Sequence, residues 1–108
     1  MVSCHSYLTF LKASDKLWFG ITAKQREVLL TVIRRGFSNP YRVQDVIGMR
    51  SIASQATLHK ALIQLVSQGY LALKPSLSDG RVKFVFLTRK GSALEAELNK
   101  LLARAANN

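Results

Sequence analysis

The chain has 108 residues, 48% of them apolar, with sixteen lysines and arginines against six acids and a single cysteine. Length and apolar share predict one compact domain, residues 1–108, and exclude a disordered basic tail. No run approaches roughly 18 apolar residues, which excludes a membrane span, and one cysteine excludes a disulfide framework or a cysteine-rich zinc site. The formal charge of +10 calls for a polyanion, nucleic acid before an acidic membrane face. No leader pattern opens the chain, so a cytoplasmic location is expected.

Ser3 to Leu17 reads as a helix, with Ser3 as its cap and Tyr7, Leu8 and Leu11 on one stripe. Trp18-Phe19-Gly20 breaks it. Thr22 with Gln25 three residues on is a capping-box pattern, and Val28, Leu29, Val32 and Ile33 then keep the 3.6-residue period to a stop at Gly36. Asn39-Pro40 marks a turn, and a short helix at Val43–Ile47 closes at Gly48. After the Ser54 cap, Leu58, Ala61, Leu62 and Leu65 fall at i, i+3, i+4 and i+7. Ala56, Lys60, Ile63 and Ser67 lie on the opposite face, flanked by His59 and Gln64, and Gly69 ends the helix. Tyr70–Lys74 and Val82–Leu87 read as paired strands around the long turn from Pro75 to Arg81, whose tip should project. Thr88 caps a last helix with a stripe of Leu94, Leu98, Leu101 and Leu102.

The fold class this order predicts is mainly α (α+β). It is a winged helix-turn-helix with a two-stranded β-hairpin wing and flanking N- and C-terminal helices. Charge placement agrees with a binding face. No acid occurs between Asp45 and Asp79, an interval holding Arg50, His59, Lys60 and Lys74, and Arg81, Lys83, Arg89 and Lys90 follow closely. Such a helix buries one stripe and offers an acid-free face to a major groove. The hairpin holds Arg81 and Lys83 near the adjacent minor groove or its phosphates.

At these residues the chain resembles the MarR-type winged-helix transcriptional regulators, in a short form. The resemblance rests on Ile21 to Leu30, on Ser54 to Leu62 with Leu65 and Gly69, on Asp79-Gly80-Arg81, and on Leu87-Thr88-Arg89-Lys90-Gly91, across roughly residues 21 to 94. It implies a homodimeric DNA-binding repressor on a pseudo-palindromic operator. Gln55, Ala56, His59 and Lys60 would read base edges, with Arg81 as the minor-groove arginine braced by Asp79. The implied DNA-binding set is Ser54, Gln55, Ala56, Thr57, His59, Lys60, Lys74, Asp79, Arg81 and Lys83. Tyr7, Leu8 and Leu11 with Leu94, Leu98, Leu101 and Leu102 would build the dimer, through helices at 3–17 and 88–104. The chain departs from the family in a Gly48–Ser54 turn one residue longer and in shorter ends, which argue against an effector pocket. Ile63 opposite the core stripe is either a contact for a thymine methyl or an ordinary exposed apolar residue.

Catalysis finds no paired carboxylates, phosphate loop or nucleophile elbow. Cys4 beside His5 lacks the further ligands a metal needs, so no enzyme, cofactor or metal is expected. Two other functions fit the same composition: a basic RNA- or ribosome-associated winged-helix protein, and a protein-interaction module using the hairpin or the Ile63 face.

Overall fold

Capping side chains set most helix starts in the computed structural model, which describes residues 3–107. Ser3 accepts the Ser6 N–H and opens α1, Cys4–Ser14. The helix then tightens into a 3-10 turn at Asp15–Trp18, three residues before the expected end at Leu17. There the buried Ser14 hydroxyl donates back to the Leu11 carbonyl at 3.2 Å. Thr22 and Gln25 make the reciprocal capping box that starts α2, Ala23–Arg35. Asp45 reaches back to the Arg42 N–H at 2.9 Å to start α3, Val43–Ile47. Ser54 caps α4, Gln55–Ser67, by accepting the Thr57 N–H at 3.3 Å.

The end of α4 explains why the first strand begins one residue later than the propensities suggest. Gly69, at φ 88°, donates to the Val66 carbonyl, and Tyr70 donates to the Leu65 carbonyl at 3.0 Å. That pair of bonds is a Schellman stop, which needs a residue free to adopt positive φ. Tyr70 is thereby committed to the helix end. The antiparallel pair is β1, Leu71–Pro75, with β2, Lys83–Leu87, in a register that sets Leu71 against Leu87 and Pro75 against Lys83. An isolated bridge between Arg42 and Phe84 adds a one-residue third rung. Thr88 caps α5, Arg89–Ala106, by accepting the Gly91 N–H at 3.1 Å.

The core gathers around α4, whose Leu58, Leu62 and Leu65 are fully buried and whose Ala61 is nearly so. Val28, Leu29 and Val32 of α2, Val46 of α3, Leu71 and Val85 of the hairpin, and Leu94 of α5 complete it. At about 1.5–3 kcal/mol per buried aliphatic side chain, this cluster dominates the folding energy and fixes which side of α4 faces out.

The flanking helices correct part of the expected interface. Leu94 is only 7% exposed and belongs to its own chain's core, and Leu98 packs partly against that core. The physical reason is length: the first half of α5 lies over the domain, so its stripe is used up there. Further along α5, Leu101 is half-buried and Leu102 exposed, and the helix also packs against α1. Helix α1 buries Ser6 and Ser14 and leaves Tyr7 and Leu8 each 56% exposed, with Leu11 at 38%.

Candidate nucleic-acid interface

Because the aliphatic stripe of α4 is buried, its opposite face is presented to solvent. Ser54, Gln55, Ala56, Thr57, His59, Lys60, Ile63 and Ser67 are all exposed there. The first turn carries no acid. The Ser54 and Thr57 hydroxyls lie 2.9 Å apart, so the cap and the first turn form one small polar platform. A helix start of this kind, with free N–H groups and no competing carboxylate, suits a phosphate.

The hairpin tip is ordered by its own hydrogen bonds. The Ser76 N–H donates to the Val82 carbonyl at 2.8 Å and the Val82 N–H to the Asp79 carbonyl at 3.0 Å. Asp79 Oδ1 accepts both the backbone N–H of Arg81 at 3.0 Å and its Nε at 3.3 Å. Arg81 is nevertheless 93% exposed at its side chain. An ion pair that open contributes little to stability, and its geometric effect is to fix the root of the arginine while the guanidinium projects. Lys83 is exposed on β2, opposite Pro75. Lys74 behaves differently: its ammonium sits 5.1 Å from the Phe86 ring centroid, folded back on the sheet.

Between α4 and the wing lies a cleft of about 340 Å³. His59 and Ile63 line it from the helix, Leu73 and Lys83 from the strands, and Arg81 and Val82 from the wing. Its remaining wall is the start of α3, with Arg42, Val43 and Gln44. Arg42 and Gln44 are site residues that the pattern of α4 and the wing does not reveal. The signal for Arg42 is the acid three residues on, which makes a capping box and thereby aims the arginine. Arg42 Nη2 lies 3.0 Å from Asp45 Oδ1 and Nε lies 3.2 Å from Oδ2. Hydrogen bonds from the Arg42 side chain and backbone hold the Asp45 carboxyl below its ordinary value, and Asp45 in turn raises the Arg42 guanidinium.

Lys60 faces away from that cleft. It lines a separate surface depression with Thr22, Lys24, Thr57 and Gln64 on the α2 side. Nearby, Gln25 is buried and donates from Nε2 to Gln64 Oε1 at 2.6 Å, tying the start of α2 to the third turn of α4. The two flanks of α4 are therefore chemically distinct, lysine-lined on one side and histidine- and arginine-lined on the other. Cys4 is exposed in the first turn of α1, far in sequence from either flank.

No protein-family model matches the chain, and no curated protein matches it in sequence. Its likeness is to solved structures. A transcriptional regulator from Thermotoga maritima superposes with a TM-score of 0.71 at 23% identity, over 92% of this chain and 66% of that one. A MarR transcriptional regulator from Methanosarcina mazei Go1 gives 0.63 at 23% identity, over 91% of this chain and 66% of that one. AbfR, in a reduced form bound to DNA, gives 0.61 at 27% identity, over 90% of this chain and 68% of that one. The chain thus spans about two thirds of the length of these structures, and it shares their winged-helix fold.

Proposed function

We infer from this MarR-type winged-helix fold that the chain is a DNA-binding transcriptional regulator rather than an enzyme. It reads duplex DNA in sequence-specific fashion as a homodimer and represses by occupying a pseudo-palindromic operator. In this reading α4 enters the major groove, with Gln55, Ala56, His59 and Lys60 at base edges and Ser54 and Thr57 on phosphate. Arg81, rooted by Asp79, reaches the minor groove, and Lys74 and Lys83 add charge along the wing. The work is done in the cytoplasm and needs no cofactor.

One observation carries the reading: His59 and Ile63 of the solvent face of α4 line the same cleft as the projecting Arg81, and the sequence carries no acid between residues 46 and 78. Two of the resembling structures supply context, AbfR bound to DNA and the transcriptional repressor CouR bound to a 23-mer duplex. If each protomer neutralises about three phosphates, the slope of log K against log salt is about −5 for the dimer. The test is selection from a random duplex pool, with structured RNA as competitor and sizing of the free protein alongside. An enriched palindrome bound by a dimer is the expected result. Preference for folded RNA by a monomer returns the RNA-associated function instead, and enrichment of nothing removes DNA recognition altogether.

A further inference from the structure

We propose that Ile63 is a specificity residue, reading the 5-methyl group of a thymine at the rim of the major groove. The inference rests on the duplex-binding function above. Ile63 is 45% exposed, in the third turn of α4 and on the face opposite the buried leucines. An exposed isoleucine alone carries no message. Its setting does: it lines the cleft between helix and wing, where Leu73 and Val82 extend an apolar surface and Arg42, Arg81 and Lys83 supply cations around it.

An apolar surface inside a cationic rim fits an apolar group carried on a polyanion. Among base edges in the major groove, only thymine offers one, its C5-methyl. The Lys60 flank of α4 is lined by Thr22, Lys24, Thr57, Lys60, Ala61 and Gln64 and offers no branched aliphatic side chain. The same chemistry separates duplex DNA from RNA, because uracil lacks the methyl.

The experiment uses the full chain and the duplex enriched by selection, synthesised with thymidine or with deoxyuridine throughout. Each is measured against the unaltered protein, Ile63→Ala and Ile63→Val. Burying one methyl corresponds to about a fourfold change in affinity per protomer engaged. The unaltered protein should lose about that factor per half-site on the deoxyuridine duplex. Ile63→Ala should bind both duplexes alike, and Ile63→Val should keep most of the difference. Because Ile63 lies outside the core, the variants should melt with the unaltered protein, and the cycle of protein and base changes isolates the pairwise effect. Equal binding of both duplexes by the unaltered protein overturns the assignment. So does a deoxyuridine penalty that survives in Ile63→Ala. Failure to enrich any duplex is distinguishable from both, since it removes the DNA-binding function first and this contact with it.

Discussion

Single side chains divide into those that hold the surface in place and those free to read a partner. Arg42 and Asp45 belong to the first kind as the structure stands. The Asp45 carboxyl titrates below its ordinary 3.8 because Arg42 donates to it from side chain and backbone. A carboxyl lowered on folding contributes stability above its unfolded value, and that contribution vanishes as pH falls through the folded value. Asp45→Asn should therefore lower the denaturation midpoint near about pH 7, by an amount that shrinks as pH falls below the ordinary carboxylate value; a deficit that stays constant as pH falls would show that the pair does not titrate as described. The reading residues predict a different pattern. Arg81→Ala should weaken binding to all duplexes and make the salt slope shallower by about one unit per protomer. Gln55→Ala or Lys60→Ala should instead change the preferred sequence, at about 1–3 kcal/mol for each bidentate pairing with a base that the change removes. Affinity titrations against the selected duplex and a scrambled one, at several salt concentrations, tell these apart; a uniform loss from all three changes would contradict the division of labour.

Elements are held to one another at a few close approaches, and among the described glycines the one at the junction of β2 with α5 has the least room. Gly91 has no space for a methyl group: a Cβ there would lie 2.5 Å from the Tyr70 carbonyl oxygen and would overlap the Leu87 side chain. Since one of these neighbours is backbone, the strand and helix must separate to admit it. Gly91→Ala should cost about 1–3 kcal/mol and lower Tm by several degrees for a domain of this size. Calorimetry reads this directly, and an unchanged Tm would mean that the junction yields. The same junction shows why a sequence can display the Leu87–Gly91 motif without displaying its reason: the glycine is required by Tyr70, a residue far back in the chain.

What else was legible follows the same division between local and distant causes. The α4 stripe and the Thr22–Gln25 capping box depend on neighbours within one or two turns, so the spacing of Leu58, Ala61, Leu62 and Leu65 located the buried face. The strand start and the α1 end slipped because Tyr70 and Ser14 are claimed by hydrogen bonds at helix ends. Periodicity gives a helix its apolar face and says nothing of what that face meets, so Leu94 could be placed on a stripe but not in its own core. The cleft was least legible of all, because it joins Arg42, Ile63, Leu73 and Arg81 from four separate segments.

At the scale of the molecule, two surfaces stand out. One is the basic face already described. The other is on α1, which packs against α5 and shows Tyr7, Leu8 and Leu11 to solvent while burying serines, with Leu102 of α5 exposed too. An amphipathic helix laid down this way round leaves its larger apolar area uncovered, which a second copy of the chain would cover. Leu8→Glu should turn a dimer into monomers on sizing and lower operator affinity steeply, while leaving the Tm of dilute protein little altered, because Leu8 lies outside the core. A monomeric unaltered protein would remove that role for α1.

Thr88 joins these two surfaces. Its hydroxyl lies 2.5 Å from the Gly69 carbonyl and 3.0 Å from the Tyr70 carbonyl, and it accepts the Gly91 N–H. One side chain thus pins the end of α4, the root of the hairpin and the first turn of the 18-residue α5. Thr88 and the buried Leu94 together fix the direction of α5, a helix roughly 27 Å long, and a change of about 5° in that direction would move its far end by about 2 Å. In a dimer joined at those far ends, the angle held by this hydroxyl sets the distance between the two reading helices. Thr88 would then act as a ruler for operator spacing without touching a base.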